Sequence, residues 1–112
     1  MGSNIDRKEI IREYKARVTP RGIFAMRCPA TGEVWVGASM NLDGARNGLW
    51  FFLGGGNYKD TALQAAWNAH GEQAFQYEVL EKLDDDVAAR RVSDVLKERK
   101  SHWLGQLRAR PL

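Results

Sequence analysis

At 112 residues, 44% of them hydrophobic, the chain is the size of one domain, large enough for a core and small enough to be marginally stable. Its 17 basic and 14 acidic residues leave a net charge of +3, a mild excess that falls short of a strong nucleic-acid signature. The longest apolar run, Gly48 to Leu53, excludes a membrane span of roughly 20 residues; the charged stretch Met1 to Tyr14 lacks a secretory apolar segment; and one cysteine, Cys28, excludes an internal disulfide and fits a reducing, cytoplasmic setting.

In chain order, Ile5 to Arg17 reads as a helix, with Asn4 or Asp6 as cap and Ile10, Ile11 and Tyr14 as its apolar stripe. Residues 1–17 are thus expected to be a helical extension of a single domain, 1–112. Pro20 disfavours helix at Thr19. Strand Gly22 to Arg27 puts Ile23 and Ala25 on one face, Phe24 and Met26 on the other. Cys28 to Glu33 is built like a turn, and strand Glu33 to Ala38 follows, so the two form a β-hairpin with Phe24 and Trp35 on one face.

Asn41 or Asp43 caps a helix to about Leu53, with Ala45, Leu49, Phe52 and Leu53 at helical spacing. Gly44 and Gly48 each weaken it by roughly 1 kcal/mol relative to Ala. Gly54-Gly55-Gly56-Asn57 stops it; without Gly-Lys-Ser/Thr or a preceding strand it is not a P-loop. Asp60 caps a helix Thr61 to His70, which Gly71 ends, with Leu63, Ala66, Trp67 and His70 facing inward. Phe75 to Leu80 alternates as strand three. Asp84-Asp85-Asp86 favours the start of the last helix, whose stripe is Ala88, Val92, Val95, Leu96, Trp103 and Leu107. The order α-β-β-α-α-β-α predicts an α+β domain, a three-stranded antiparallel sheet surrounded by helices.

The ordered set Gly22-Ile23-Phe24, Trp35-Val36-Gly37, the passage Ala38-Ser39-Met40-Asn41-Leu42, and His70-Gly71 ahead of Phe75 and Val79-Leu80-Glu81 resembles the GIY-YIG nuclease family from Gly22 to about Leu107. The resemblance implies a nucleic-acid partner, DNA being the expected one. It also implies phosphodiester hydrolysis that uses one divalent metal, usually magnesium. Its roles call for two tyrosines around the attacking water, an arginine on the following helix against the phosphate, and a glutamate on a later helix as metal ligand.

Every one of those roles is altered in this sequence. Phe24 stands at the first tyrosine without a hydroxyl, and Trp35 at the second with an N–H donor and no acceptor. The arginine position falls on Ala45, with Arg46 beside it and about 100° round the helix. The glutamate position falls on Lys100, with Glu98 two residues away. A lysine there repels a metal but can itself hold a phosphate. The expected site is therefore a pocket joining Phe24, Trp35, Arg46 and Lys100, with Lys97 and Arg99 near it as further nucleic-acid contacts. Glu98 is the candidate metal ligand, should the last helix align one turn differently.

After Val87 the chain carries seven basic residues against two acidic ones, which reads either as a solvated helix face or as a phosphate-tracking surface. His102, His70, Cys28 and Glu78 read as surface, capping or turn residues rather than catalysts. Trp50-Phe51-Phe52 runs continuously across a helix, so at least one ring must face outward, either to stack on a base or to contact a partner or a second copy of the chain. Three functions follow: a nucleic-acid-binding domain with weak or no hydrolysis, an active magnesium-dependent endonuclease using Arg46 and Glu98, or an interaction module that pairs through the Trp50–Phe52 patch.

Overall fold

The computed structural model describes residues 19–112, so the helix expected over Ile5 to Arg17 lies outside the described residues. Strands β1 (Gly22–Cys28) and β2 (Glu33–Ser39) form the hairpin, with Phe24 opposite Gly37 and Met26 opposite Trp35. Gly32 closes its turn at φ 79°, a left-handed conformation that glycine adopts without a side-chain clash. Strand β3 (Gln76–Lys82) pairs antiparallel with the other edge of β1.

The sheet has four strands among the described residues, not three, in the order β3-β1-β2-β4. The added strand β4, Arg110–Pro111, lies parallel to β2. Two residues, one of them a proline, carry no alternating pattern, and a proline is tolerated because the strand is at an edge. Arg108, left-handed at φ 51°, turns the chain into it.

Helix α1 (Leu42–Gly54) starts where Asn41 Oδ1 accepts from the Gly44 N–H at 2.9 Å. Helix α2 (Thr61–His70) starts where Asp60 Oδ1 accepts from the Leu63 N–H at 3.0 Å, and Gly71 ends it at φ 82°. A 3-10 turn, Glu72–Ala74, leads into β3. Helix α3 (Ala89–Leu107) begins later than the three aspartates, and Ala88 caps it with no side-chain bond. Leu83 is buried and its N–H donates to the Arg21 carbonyl, so the chain must still leave the sheet edge; it does so through a turn closed on the Asp84 carbonyl by the Val87 N–H and Arg21.

Each sheet face has its own core. Phe24, Met26, Cys28 and Trp35 pack against Leu42, Leu49 and Leu53 of α1, Leu63 and Trp67 of α2, and Phe75. Ile23, Ala25 and Val36 pack against Val92 and Leu96 of α3. A β-bulge lies between the Ile23–Glu81 and Phe24–Val79 pairs, so Leu80 and Glu81 both face α3. The same bulge explains Gly22: a Cβ there would fall on the Glu81 carbonyl. The Glu81 carboxylate accepts from Arg99 Nε at 2.8 and 3.0 Å and from Trp103 Nε1 at 2.9 Å, fastening α3 to β3.

Candidate nucleic-acid interface

Phe24 stacks on Tyr77 of β3 with centroids 5.3 Å apart and lies across Gly37. A Cβ at Gly37 would sit 2.5 Å from the Phe24 Cζ and 3.2 Å from the Leu112 Cβ, so the glycine of the second triplet is the space in which ring and Leu112 meet. Tyr77, on the neighbouring strand, carries the phenol beside Phe24. Its hydroxyl donates to the Leu42 carbonyl at 2.8 Å. Burial, with the Asp43 charge second, pushes its pKa up, so it stays protonated at neutral pH and is a tie rather than a base. Alternation alone put Tyr77 on a strand; only the register sets it beside Phe24.

Trp35 shares that face, one pair along, but is 0% exposed and packs towards Phe75. It is a core residue, not the wall of an open pocket, because α1, α2 and Phe75 cover the sheet there. Its buried Nε1 has no hydrogen-bond partner among the described residues. Phe24, 6% exposed, is likewise interior.

Arg46 is exposed, and its guanidinium carbon lies 4.5 Å from the Trp50 ring centre, while Trp50 itself packs edge-on against Trp67. At about 100° per residue, Arg46 is only roughly 40° from the line of Leu42, Leu49 and Leu53, and Ala45 roughly 60° to its other side. Arg46 therefore borders the sheet-facing stripe instead of being turned away from it.

Lys100 is half-buried on α3 and donates to the Leu112 main-chain oxygen, while the Leu112 N–H donates to Val36 at 2.9 Å. Lys100 and Phe24 thus approach the C-terminal segment from two sides, with Leu112 between them. Arg46 belongs to the helix over one face of the sheet and Lys100 to the helix over the other. The single pocket expected from sequence is not assembled by these four residues.

Two further expectations are corrected by α3. Arg99 is not wholly free, since its Nε–H is held by the Glu81 carboxylate, which leaves the terminal nitrogens of a partly exposed guanidinium for a phosphate. Glu98 is exposed and turned roughly 140° from the line of Val92 and Leu96 at about 100° per residue, away from the sheet. A hard divalent cation takes several oxygen ligands. Among the described residues no group of three or more His, Cys, Asp or Glu gathers into an all-protein cage, so a magnesium ion here would rest on one or two carboxylates, with water and substrate phosphate completing its shell. Lys97 and Arg90 are exposed on one side of α3, roughly 20° apart, whereas exposed Arg91 is about 100° further round, beside exposed Glu98 and Asp94.

The aromatic run on α1 also divides differently. Trp50 packs inward, whereas Phe51 is 76% and Phe52 53% exposed, so Phe52 is not part of the core stripe. Beside Phe52 is a cavity of about 370 Å³ lined by Asn57, Tyr58 and Lys59, which sequence reasoning missed because it depends on how the glycine loop folds back. Burial, then the Asp60 charge, raises the Tyr58 pKa.

Among solved structures, the chain is similar to the catalytic domain of the homing endonuclease I-TevI, with a TM-score of 0.69 and 22% identity over 82% of this chain and 97% of that one. A mutant form of the catalytic domain of intron endonuclease I-TevI gives a TM-score of 0.69 and 22% identity over 80% of this chain and 86% of that one. No protein-family model matches the sequence, and no curated protein matches it. The fold is GIY-YIG-like, as the two triplets led us to expect.

Proposed function

We propose that this domain binds nucleic acid, DNA foremost, and hydrolyses phosphodiesters weakly or not at all. The reading is supported by a GIY-YIG-like fold on which the sequence resemblance assigns Lys100, a lysine ammonium, to the position of the metal-binding carboxylate. Lys100 gives one donor to Leu112 and keeps two more for phosphate oxygens. The exposed Lys97 and Arg90 lie roughly 60–80° round α3 from Lys100 and extend the positive surface along it, while Arg91 is on the opposite side. Phe24 brings no hydroxyl to activate water, and Tyr77, its neighbour, is engaged with Leu42.

Titration of labelled duplex at two salt concentrations tests the reading. Affinity is expected at low salt and should weaken as salt rises, because phosphate-bound cations release counterions. No measurable affinity for duplex, branched or single-stranded probes at low salt would reject it. The rival reading, a magnesium-dependent endonuclease using Arg46 and Glu98, draws support from Arg46 bordering the sheet-facing stripe. Plasmid nicking that EDTA abolishes, and that both Arg46→Ala and Glu98→Ala abolish, would establish it instead. Among the described residues no helix is long and apolar enough to cross a membrane. A cytoplasmic setting is part of the same proposal, resting on the single buried thiol of Cys28.

A further inference from the structure

The C-terminal end of α1 and the loop after it form an open-sided cleft with mixed chemistry. Phe52 presents more than half of its surface to solvent while the adjacent Leu53 is buried. The cavity beside Phe52, about 370 Å³, falls within the roughly 300–1,000 Å³ of small-ligand pockets.

Its walls are preformed. Buried Gln64 of α2 donates through Nε2 to the Leu53 carbonyl at 3.0 Å, and its Oε1 accepts from the Tyr58 N–H at 3.0 Å. One side chain thereby ties the end of α1 to the far side of the loop. The loop closes on itself through Gly55 N–H to Phe51, Gly56 N–H to Leu53 and Asn57 N–H to Phe52 carbonyls. A Cβ on Gly54 or Gly56 would meet nothing within 4 Å, so the rim is open.

We propose that this cleft holds one unstacked nucleobase and its flanking phosphate, from a strand end or single-stranded segment. This rests on the nucleic-acid reading above and names a subsite for it. The three parts of a nucleotide find three matching groups. Phe52 offers a ring face, which every base can stack on. Asn57 offers an amide with both donors and an acceptor for a base edge. Lys59 offers a cation for the phosphate. The Lys59 cation on the cleft wall favours an anionic ligand over an apolar peptide, which would leave Lys59 and Asn57 unmatched.

Anisotropy titrations with a blunt duplex and the same duplex bearing a single-stranded overhang test the proposal on the intact chain. The overhang probe should bind more tightly, and Phe52→Ala should remove that preference, a loss of about tenfold, the scale of one base–aromatic stack. Lys59→Ala should reduce the preference and Lys59→Arg should keep it. Because Phe52 is exposed, Phe52→Ala should melt at the wild-type temperature, which shows that the variant is folded. Equal affinity for both probes in the wild type, or a preference that survives Phe52→Ala, overturns the subsite while leaving duplex binding intact. Failure to bind either probe removes the broader reading instead. Free adenosine monophosphate that competes as strongly as the overhang would assign the cleft to mononucleotides and overturn the strand source. A dimer in sedimentation that Phe52→Ala dissolves would assign the rings to self-association and also overturn it.

Discussion

Replacing Glu81 by glutamine tests how α3 is held to the sheet. The carboxylate receives three hydrogen bonds, two from Arg99 and one from Trp103, and its side chain is 29% exposed. A hydrogen bond to a charged group contributes about 1.5–3 kcal/mol when shielded. The Arg99 side chain is more than a third exposed, so water replaces much of what it loses, and the ion pair is discounted to about 1 kcal/mol or less. Glutamine keeps one acceptor oxygen, so Glu81→Gln should cost about 1 kcal/mol, and Glu81→Ala about 2 kcal/mol, since the Trp103 N–H then also loses its partner. In a domain of this size, 1 kcal/mol corresponds to roughly 4–8 °C in Tm.

The pH dependence gives a second handle on the same carboxylate. Burial alone would raise the Glu81 pKa, but hydrogen bonds from Trp103 and Arg99, with the Arg99 and His102 charges, outweigh it and hold the carboxyl below its ordinary value. A carboxyl depressed in the folded state adds stability above the unfolded-state pKa and loses it as pH falls through the folded one. The gap between wild type and Glu81→Gln should therefore be full at neutral pH and close below the ordinary glutamate range. Urea unfolding followed by tryptophan fluorescence measures both. Equal midpoints at neutral pH, or a gap that widens as pH falls, would refute the reasoning.

Gly37→Ala forces a Cβ to within 2.5 Å of the Phe24 ring and should destabilise by about 1–3 kcal/mol in urea melts, a loss that adding Phe24→Leu should partly recover. Asp60→Ala removes the acceptor for the Leu63 N–H and should cost about 1 kcal/mol by the same measurement. Lys100→Met deletes the donor to Leu112 and should speed hydrogen exchange at the Leu112 amide while leaving β1 amides unchanged. Phe24→Tyr places a phenol at the first triplet; plasmid nicking with magnesium should not rise above the wild-type level, because the other altered positions remain.

Much of the chain's organisation is local and was legible. Period-two alternation placed Phe24 and Trp35 on one face, and the register of Phe24 with Gly37 and Met26 with Trp35 bears this out. Side-chain caps are equally local: Asp60 and Gly71 bracket α2 at the residues expected, and Asn41 starts α1. Where a local signal misled, a longer-range constraint won. The three aspartates suit a helix start, yet buried Leu83 holds the chain at the sheet edge and delays α3 to Ala89.

The sequence by itself determined the alternation, the helix limits of α1 and α2 and the two glycine-bearing triplets, because dihedral preference, capping and side-chain period act within a few residues. Only the tertiary structure decided that Trp35 is sealed in, that Phe52 is out, that a bulge turns Glu81 towards Arg99 and Trp103, and that Arg46 and Lys100 lie over opposite sheet faces. Alternation says which residues share a face. Whether that face meets water is settled by the helix that lands on it, and that choice belongs to contacts between residues far apart in the chain.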